Sequence, residues 1–470
     1  MYSWVRLSHL VQWTNATVVG TLSGDLPVLS LSTDSRSIQV GEVFAALRGE
    51  NFNGNDYIES VAKNASPSAI ICETAKNVST PQLVVPDTLR ALIAIARELR
   101  KAFPGPVFAI SGSAGKSSTK EALATILGGG TLASPASFNN LLGISKTWFL
   151  ISDDIQQVIL EVGMNGLGEI KEICETFMPT GGLLTNIGDA HIGKLGGQEG
   201  IYRAKKEMFD YLASRPGESK LALNADDPLI QRAFQESFGG KALAVTFSTR
   251  SDVKADIRTL ACGMDPKTGY LNLRLSVLGS ELSLKLPIYG LHFAQNICAA
   301  VAAGVLFGID KQDIAQRLEG FRPASHRGHI HQLKGERILV DESYNSNPTA
   351  LISSLRSCAE LDPNKKRVFV LGEMRELGSF SQSLHEKVGA VFAELFVRIP
   401  YTLIGVGPDM KFLLDIVRKH AGARGTVVFA ETADEALKFA LAQFEPGAIC
   451  LVKGSRGVKL EKVVAGLTEN

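Results

Sequence analysis

The chain has 470 residues, of which 45% are hydrophobic and 21% charged, so it has enough apolar side chains for two or three folded domains. A formal net charge of +1 gives no overall attraction to nucleic acid or to an anionic membrane surface. We therefore expect no nucleic-acid partner, and an anionic ligand must be held by a local site. No apolar run reaches the roughly 18 residues of a membrane span, so we expect none.

The six cysteines are scattered along the chain and lack the C-x-x-C spacing of a zinc or redox site. Several lie in apolar runs, as Cys72 and Cys450 do, which indicates buried and reduced thiols. The first residues also lack the basic and then apolar order of a signal peptide. These features favour a reducing cytoplasm as the location of the protein.

The first hundred residues mix short strands with turns and end in a helical pattern at Thr88–Ala102. The F-P-G-P segment at 103–106 then predicts a linker. Beyond it, strands alternate with helices, which is typical of a parallel α/β sheet. The predicted strands are Val107–Ser111, 158–163, 182–187 and 221–224, and the first of them is followed by a predicted helix at Lys116–Leu127.

Between residues 241 and 287 the pattern changes to short β runs without a helix, which we interpret as an antiparallel appendage. An alanine-rich helix at 293–307 closes this part, and a second boundary falls near Phe321. The predicted domains are residues 1–103, 104–320 and 321–470. In the last domain, five predicted strands are each followed by a helix; they are 337–340, 367–371, Tyr401–Val406, 427–430 and 449–452. This rhythm indicates a Rossmann-like doubly wound sheet, but no G-x-G-x-x-G motif opens it, which disfavours a dinucleotide cofactor.

A glycine-rich G-S-A-G-K-S loop at 112–117 lies between a predicted strand and a predicted helix. Its glycines allow backbone N–H groups to point at phosphate oxygens, and the helix N-terminus reinforces this. Lys116 would neutralise the β- and γ-phosphates of ATP, and the Ser117 hydroxyl would bind Mg²⁺. Ile110 stands where the full Walker pattern has glycine, so the loop is a shortened one. The predicted nucleotide-binding residues here are Gly112, Ser113, Ala114, Gly115, Lys116, Ser117 and Ser118.

Three further polar residues follow or end buried segments. Glu161 ends a predicted strand, His191 follows the next strand in L-T-N-I-G-D-A-H, and Lys205 lies in R-A-K-K-E-M-F. Taken alone, Glu161 has a functional reading and an equally good one as a helix cap, and His191 alone favours a structural role.

In this order and spacing, the segments resemble the Mur ligases of bacterial peptidoglycan synthesis. The resemblance extends through nearly the whole chain. It includes S-T-D-S-R at 32–36, F-N-N-L-L-G at 138–143, D-E-S-Y-N-S-N-P at 341–348, L-G-E-M-R-E-L-G at 371–378 and L-V-K-G-S-R at 451–456. It implies an α/β fold of three domains: an N-terminal domain for the UDP end of the substrate, a central P-loop ATPase and the Rossmann-like domain.

The resemblance also implies residue roles. Asp34, Ser35 and Arg36 would lie at the UDP site, and Asn139 and Asn140 would line the channel for the muramyl substrate. For the metals, Ser117 and Glu161 would hold one Mg²⁺ and His191 with Lys205 a second, with Lys205 carbamylated by CO₂. For the nucleotide, Asn296 would contact adenine, and Arg327 and Glu342 would approach ATP from the C-terminal side.

This chain departs from the family pattern in several places, two of which concern residues expected at the nucleotide. Leu291 and Phe293 replace polar residues on the adenine helix, where only His292 and Asn296 of the usual motif are kept. Glu342 stands where the family usually has aspartate, which lengthens that carboxylate by one methylene group.

The implied reaction is an ATP-dependent ligation. The terminal carboxylate of UDP-N-acetylmuramoyl-tripeptide attacks the γ-phosphate, and the amine of D-alanyl-D-alanine then attacks the acyl phosphate. Close alternatives are the family member that adds the third amino acid and a folylpolyglutamate synthetase. Alternatives of another class are a nucleotide-binding regulator without turnover and a generic P-loop kinase. A monomer is the default expectation.

Overall fold

The computed structural model describes residues 1–22, 24–49, 52–188, 195–215, 217–420 and 425–469. It divides into two compact units. Unit 1 contains residues 1–109, 129–163 and 171–181, and unit 2 contains residues 110–128, 164–170 and 182–470. This division does not coincide with the expected domain boundaries at 103 and 320, which stay a prediction. No helix in the described part of the chain is long and apolar enough to cross a membrane.

Unit 1 is built around a five-stranded sheet. Its strands lie in the order Thr17–Val19, Gln82–Val84, Ala69–Cys72, Val43–Ala45 and Leu31–Ser32. The first pair is antiparallel and the others are parallel. The helices of this unit are Leu7–Thr14, Ile58–Ala65, Thr88–Ala102 and Leu141–Trp148. The strands Thr131–Ala133 and Gln157–Glu161 pair in parallel.

Three elements contain residues of both units: the strand Val107–Ser111, the helix Glu169–Phe177 and the strand Gly181–Leu184. In the first half of unit 2, the strands that follow are Lys220–Asn224, Leu243–Ser248, Ile257–Met264, Leu271–Val277 and Ser280–Leu286. The helices are Lys116–Leu127, Gln198–Ser214, Pro228–Phe238, Phe293–Leu306 and Lys311–Glu319.

The second half of unit 2 contains a six-stranded sheet in the order His329–Leu333, Arg337–Glu342, Ile449–Lys453, Arg367–Gly372, Tyr401–Val406 and Gly425–Ala430. Only the first pair is antiparallel. The helices are Pro348–Ala359, Ser381–Leu395, Met410–His420, Ala433–Gln443 and Glu461–Glu469. Its central strands are buried on both faces, as expected for a doubly wound sheet.

Several helix starts follow directly from local sequence. Asp227 accepts hydrogen bonds from the N–H groups of Leu229 and Ile230, and Pro228 fills the first helical position, where a missing N–H costs nothing. Asn347 and Pro348 repeat this arrangement after the strand Arg337–Glu342. Polar capping residues therefore fix the points at which these strands turn into helices.

One prediction about unit 2 was wrong in part. The strands Ile257–Met264, Leu271–Val277 and Ser280–Leu286 are antiparallel, as predicted for the appendage. Leu243–Ser248, however, pairs in parallel with Lys220–Asn224 and also with Ile257–Met264, so the antiparallel strands continue the central sheet. The physical reason is that the helix Pro228–Phe238 connects Lys220–Asn224 to Leu243–Ser248, and such a crossover brings the second strand back parallel to the first.

Arg367 holds a buried set of backbone carbonyl groups beside the C-terminal sheet, and we expect it to stabilise the fold. Its side chain is fully buried and donates to the backbone carbonyls of Cys358, Leu361, Asp362 and Lys365. We expect Arg367→Met to lower the free energy of unfolding by about 3 kcal/mol, because buried carbonyl acceptors lose their donors. Urea denaturation followed by circular dichroism measures this.

Arg418→Met is the matched control, since Arg418 is half-exposed and pairs only with Asp415 at 3.0 Å among the described residues. Its removal is expected to change the free energy of unfolding by less than about 1 kcal/mol. Equal stability losses in the two variants would contradict the role given to Arg367.

Candidate active site

The glycine-rich loop has the backbone that its sequence predicts. The strand Val107–Ser111 ends at Gly112, whose φ is +146°, and the helix Lys116–Leu127 begins after Gly115, whose φ is +83°. Both values favour glycine because a Cβ atom would be strained there. The loop therefore places a helix N-terminus, with the positive end of the helix dipole, at the end of a buried strand.

A second loop, after the strand Gly181–Leu184, holds the glycine-rich loop in place. The N–H of Ser113 donates to the Asn186 carbonyl and the N–H of Ala114 to Asn186 Oδ1, both at 3.0 Å. Ser113 Oγ also donates to the carbonyl of Gly188 at 3.1 Å, and Thr185 Oγ1 donates to the Ala114 carbonyl. The sequence reasoning missed these supporting residues, although the L-T-N-I-G segment after a buried strand was a signal for them.

Gly112→Ala is expected to weaken ATP binding, with a rise of at least about tenfold in KM for ATP. A Cβ atom at this position would lie 1.9 Å from Thr185 Oγ1, so the loop or the Thr185 segment has to move. Titration with a fluorescent ATP analogue measures the affinity directly.

Gly279→Ala is the control for backbone strain alone. Gly279 has a φ of +83°, and the position of its Cβ atom has no neighbour within 4 Å among the described residues. This variant introduces the backbone strain of an alanine at positive φ without a steric clash, so it should bind ATP as the wild type does. An unchanged ATP affinity in Gly112→Ala would refute the proposed loop geometry.

Lys116 and the two serines after it lie at the start of the helix. Lys116 Nζ donates to the Gly112 carbonyl at 2.8 Å, so its ammonium group lies over the loop. Ser117 is 3% exposed and Ser118 is 5% exposed. The loop thus combines a cation, a helix N-terminus and buried hydroxyl groups, which together suit a polyphosphate.

Lys205 lies on the helix Gln198–Ser214 and is 2% exposed. Burial lowers the pKa of its amine well below the ordinary value, and the positive charge of Lys116 lowers it further. Within the described ranges, no carboxylate forms an ion pair with it. A buried amine in this setting gives up its proton more readily than that of an ordinary lysine. The neutral amine that results is the form that reacts with CO₂.

The helix Phe293–Leu306 contains Asn296 and begins directly after His292. Asn296 is 5% exposed, and a Cβ atom on Gly115 would lie 2.2 Å from its Oδ1 atom, so its side chain packs directly against the loop. His292 Nε2 lies 3.4 Å from Glu342 Oε1. Burial lowers the pKa of His292, and the Glu342 carboxylate opposes that change.

The C-terminal side of the site is centred on Glu342, which is 3% exposed at the end of its strand. Its Oε2 atom lies 3.5 Å from Lys453 Nζ and also accepts a hydrogen bond from Ser354 Oγ. The Arg327 guanidinium stacks on the Tyr344 ring at 3.9 Å. The structure therefore joins Glu342 to His292 and to Lys453, a residue to which the sequence reasoning gave no role.

In unit 1, the structure brings Asn139 and Glu161 together. Asn139 Nδ2 donates to Glu161 Oε1 at 3.2 Å, and Glu161 is 1% exposed. The neighbouring Asn140 uses its side chain to cap the helix Leu141–Trp148 by accepting from the Gly143 N–H. A buried carboxylate at the end of a strand thus has an amide donor fixed beside it.

Asp34 and Arg36 form an exposed pair in the same unit. Arg36 donates to both carboxylate oxygens of Asp34, at 2.9 and 2.8 Å. These bonds hold the pKa of Asp34 well below its usual range. Ser35 lies between them and is half-buried, while His191 lies outside the described residues.

Comparison with known proteins defines the class. The chain matches the Mur ligase middle domain over residues 110–304, the Mur ligase glutamate ligase domain over 326–456 and the Mur ligase family catalytic domain over 28–103. The chain belongs to the Mur ligase family, and it is an ATP-dependent ligase with the α/β fold of that family.

The individual relatives point to one member of the family. The chain is 34% identical to the UDP-N-acetylmuramoyl-tripeptide–D-alanyl-D-alanine ligase of Synechocystis, over 96% of this chain and 94% of that protein. It is 29% identical to the enzyme of the same name from Escherichia coli, over 99% of each chain. A crystal structure of MurF from Acinetobacter baumannii matches with a TM-score of 0.85 and 28% identity, over 98% of each chain.

Proposed function

We propose that this enzyme joins D-alanyl-D-alanine to UDP-N-acetylmuramoyl-tripeptide and converts ATP to ADP and phosphate. The observation that carries the proposal is the identity of 34% to the Synechocystis ligase along nearly the whole of both chains. Likeness that runs through all three matched regions supports a shared substrate set as well as a shared nucleotide site.

The residues of unit 2 supply the phosphate chemistry. The N–H groups at the end of the loop at 112–117, where the helix Lys116–Leu127 begins, bind the phosphates. Lys116 offsets the negative charge that builds up at the γ-phosphate during transfer. The tripeptide carboxylate attacks this phosphorus atom and ADP leaves, which gives an acyl phosphate. The dipeptide amine then attacks the acyl carbon, phosphate leaves, and a peptide bond remains.

We further propose that Mg²⁺ assists this reaction at two positions. The donors fit a hard cation: Ser117 offers a hydroxyl group, Glu161 a buried carboxylate, and Lys205 a carbamate oxygen once its amine has added CO₂. His191 completes the proposed set. Bound Mg²⁺ would neutralise charge on the phosphates. Among the described residues, no group of three or more His, Cys, Asp and Glu side chains could hold a metal ion, so the proposal depends on the serine hydroxyl and the carbamate.

Further roles complete the proposal. Asp34, Ser35 and Arg36 bind the UDP end, Asn139 and Asn140 the muramyl part, Asn296 adenine, and Arg327 and Glu342 the nucleotide. The supply of ATP and of a nucleotide-linked precursor places the reaction in the cytoplasm, and we propose a monomer as the working form.

Phosphate release tests the proposed reaction. The purified chain is incubated with ATP, Mg²⁺ and UDP-N-acetylmuramoyl-tripeptide, with and without D-alanyl-D-alanine. Release that requires both substrates, with the UDP-muramoyl-pentapeptide formed, is the expected result. Release that instead requires a free amino acid or a folate would overturn the substrate assignment, and no release with any acceptor would favour a nucleotide-binding regulator.

A further inference from the structure

The backbone beside Arg327 is bonded to two neighbouring segments of unit 2. The Tyr289 N–H donates to the Gly328 carbonyl at 3.0 Å, and Tyr289 lies shortly before the helix that we assign to adenine. The Gly328 N–H donates to the Asp341 carbonyl at 2.9 Å, and Asp341 directly precedes Glu342. The chain at Arg327 is therefore attached both to the segment that leads into the adenine helix and to the end of the strand that carries Glu342.

The residues on either side of Arg327 both have a left-handed backbone conformation, with a φ of +66° at His326 and of +76° at Gly328. Glycine adopts this conformation freely, and a Cβ atom on Gly328 would lie 2.8 Å from the Phe293 ring and from the Tyr289 carbonyl. A histidine adopts it only at a cost in free energy, so the surrounding structure has to hold it there. His326 therefore needs a contact that fixes its conformation.

The buried carboxylate of Asp341 supplies that contact. His326 Nδ1 lies 2.8 Å from Asp341 Oδ2, and the imidazole N–H donates because a carboxylate only accepts. The other oxygen, Oδ1, accepts from the N–H and the hydroxyl group of Ser343, at 3.0 and 2.7 Å. Asp341 is 3% exposed and Ser343 is fully buried. The turn at His326 is thus attached to a carboxylate that is itself held in place by Ser343.

Tyr344 connects the same turn to the side chain of Arg327. The Tyr344 N–H donates to the His326 carbonyl at 3.1 Å, and the Arg327 guanidinium lies 3.9 Å from the centre of the Tyr344 ring. Within the part of the chain that the structure describes, no carboxylate forms an ion pair with Arg327. The ring face orients the guanidinium, whose N–H groups suit an anionic group such as a phosphate.

We propose that His326 is a positioning residue for Arg327, and that its bond to Asp341 holds the left-handed turn that directs the guanidinium towards the nucleotide. This inference depends on the nucleotide role proposed for Arg327. In this arrangement His326 acts through Arg327 and not on the nucleotide itself. Loss of the bond to Asp341 leaves the charge of Arg327 unchanged but lets its backbone move, so the effect should be confined to ATP.

A double-mutant cycle tests whether His326 acts through Arg327. KM for ATP is measured by phosphate release for the wild type, His326→Ala, Arg327→Met and the double variant. We expect a rise of about tenfold or more in Arg327→Met and of at least about fivefold in His326→Ala, because a charged contact is lost or misdirected. In the Arg327→Met background, His326→Ala should add less than about twofold, since two residues that act as one unit are not additive. The KM values for the other two substrates should not change.

Two further replacements of His326 separate its positioning role from a folding defect. His326→Asn should keep KM for ATP within about twofold of the wild type. Asparagine tolerates the left-handed conformation, and its amide can donate to Asp341 in place of Nδ1. His326→Gly should give an intermediate KM, because glycine adopts the turn freely but lacks the bond to Asp341.

Glu336→Ala is the control for replacement of a non-glycine residue at positive φ. Glu336 has a φ of +56° and is exposed in the turn between the strands His329–Leu333 and Arg337–Glu342. Its replacement should leave KM for ATP at the wild-type value.

Each outcome of the cycle has one meaning. A wild-type KM in His326→Ala, an undiminished effect of His326→Ala in the Arg327→Met background, or a His326→Asn variant as impaired as His326→Ala overturns the inference and leaves the role of Arg327 in place. A wild-type KM for ATP in Arg327→Met overturns that role and this inference with it. If the enzyme proves to use another acceptor, only the proposed substrate changes, because the same cycle is then measured with that acceptor.

Discussion

Lys205→Ala is expected to lose at least about 10²-fold in kcat, with no recovery when bicarbonate is added. The loss follows from the role proposed for the carbamate as an oxygen ligand of Mg²⁺, since metal neutralisation of phosphate charge contributes several kcal/mol to such reactions. Lys205 suits this role because the residue is only 2% exposed and burial lowers the pKa of its amine. Steady-state phosphate release measures the effect.

Two further measurements separate carbamylation from a structural role. Wild-type activity should fall in buffer freed of CO₂ and return with bicarbonate. In Lys205→Ala, a small carboxylate such as acetate should restore part of the activity, because it offers an oxygen ligand in the space that the side chain leaves.

Lys206→Ala is the matched control, since the next residue on the same helix pairs with Asp210 at 2.6 Å and with Glu236 at 3.8 Å. It should keep wild-type activity and show no response to acetate. Full activity in Lys205→Ala, or wild-type activity that does not depend on CO₂, would show that the mechanism does not use a carbamate.

The sequence predicts the elements around the phosphate loop to the residue. Val107–Ser111 and Lys116–Leu127 occur with the predicted bounds because an apolar run, two glycines and a helical pattern all agree there. The helices Leu7–Thr14 and Ile58–Ala65 were missed. Neither follows a Ser, Thr, Asp or Asn cap; Arg6 and Tyr57 occupy those positions, so the usual start signal is absent. The strand His329–Leu333 was also missed, because this partly exposed edge strand is too polar to form an apolar run.

For the candidate site, prediction from the sequence is limited by contacts between residues that are distant in the chain. The loop, Lys116 and Lys205 could be predicted from local motifs, and the structure places these two lysines close enough for the charge of one to lower the pKa of the other. The contacts of Asn186 with Ala114 and of Lys453 with Glu342 join residues 72 and 111 positions apart, and no local pattern encodes such distances. Their partners are set by which strand ends become neighbours in the sheet. The roles given to Asp34, Asn139 and the other ligand-binding residues stay predictions.

Lys116→Met is expected to lower kcat by roughly 10²–10³-fold and to weaken ATP binding. The Lys116 ammonium lies over the loop, where Nζ donates to the Gly112 carbonyl, and in the reaction it has to follow the charge that develops on the transferred phosphate. A methionine side chain fills a similar volume without the charge, so the substitution leaves the packing nearly unchanged. The decrease in kcat therefore measures the electrostatic contribution of Lys116. Single-turnover formation of the acyl phosphate isolates this step from product release.

Lys267→Met removes one positive charge from an exposed turn of the same unit and is the control for net charge. It should match the wild type in ATP affinity and in kcat. Because Lys116 also lowers the pKa of Lys205, its loss should make the Lys205 amine more basic, which disfavours the neutral form that adds CO₂. Lys116→Met should therefore need more bicarbonate than the wild type for its remaining activity. A Lys116→Met variant with wild-type kcat and the wild-type response to bicarbonate would show that Lys116 is not needed for phosphate transfer and that it does not influence Lys205.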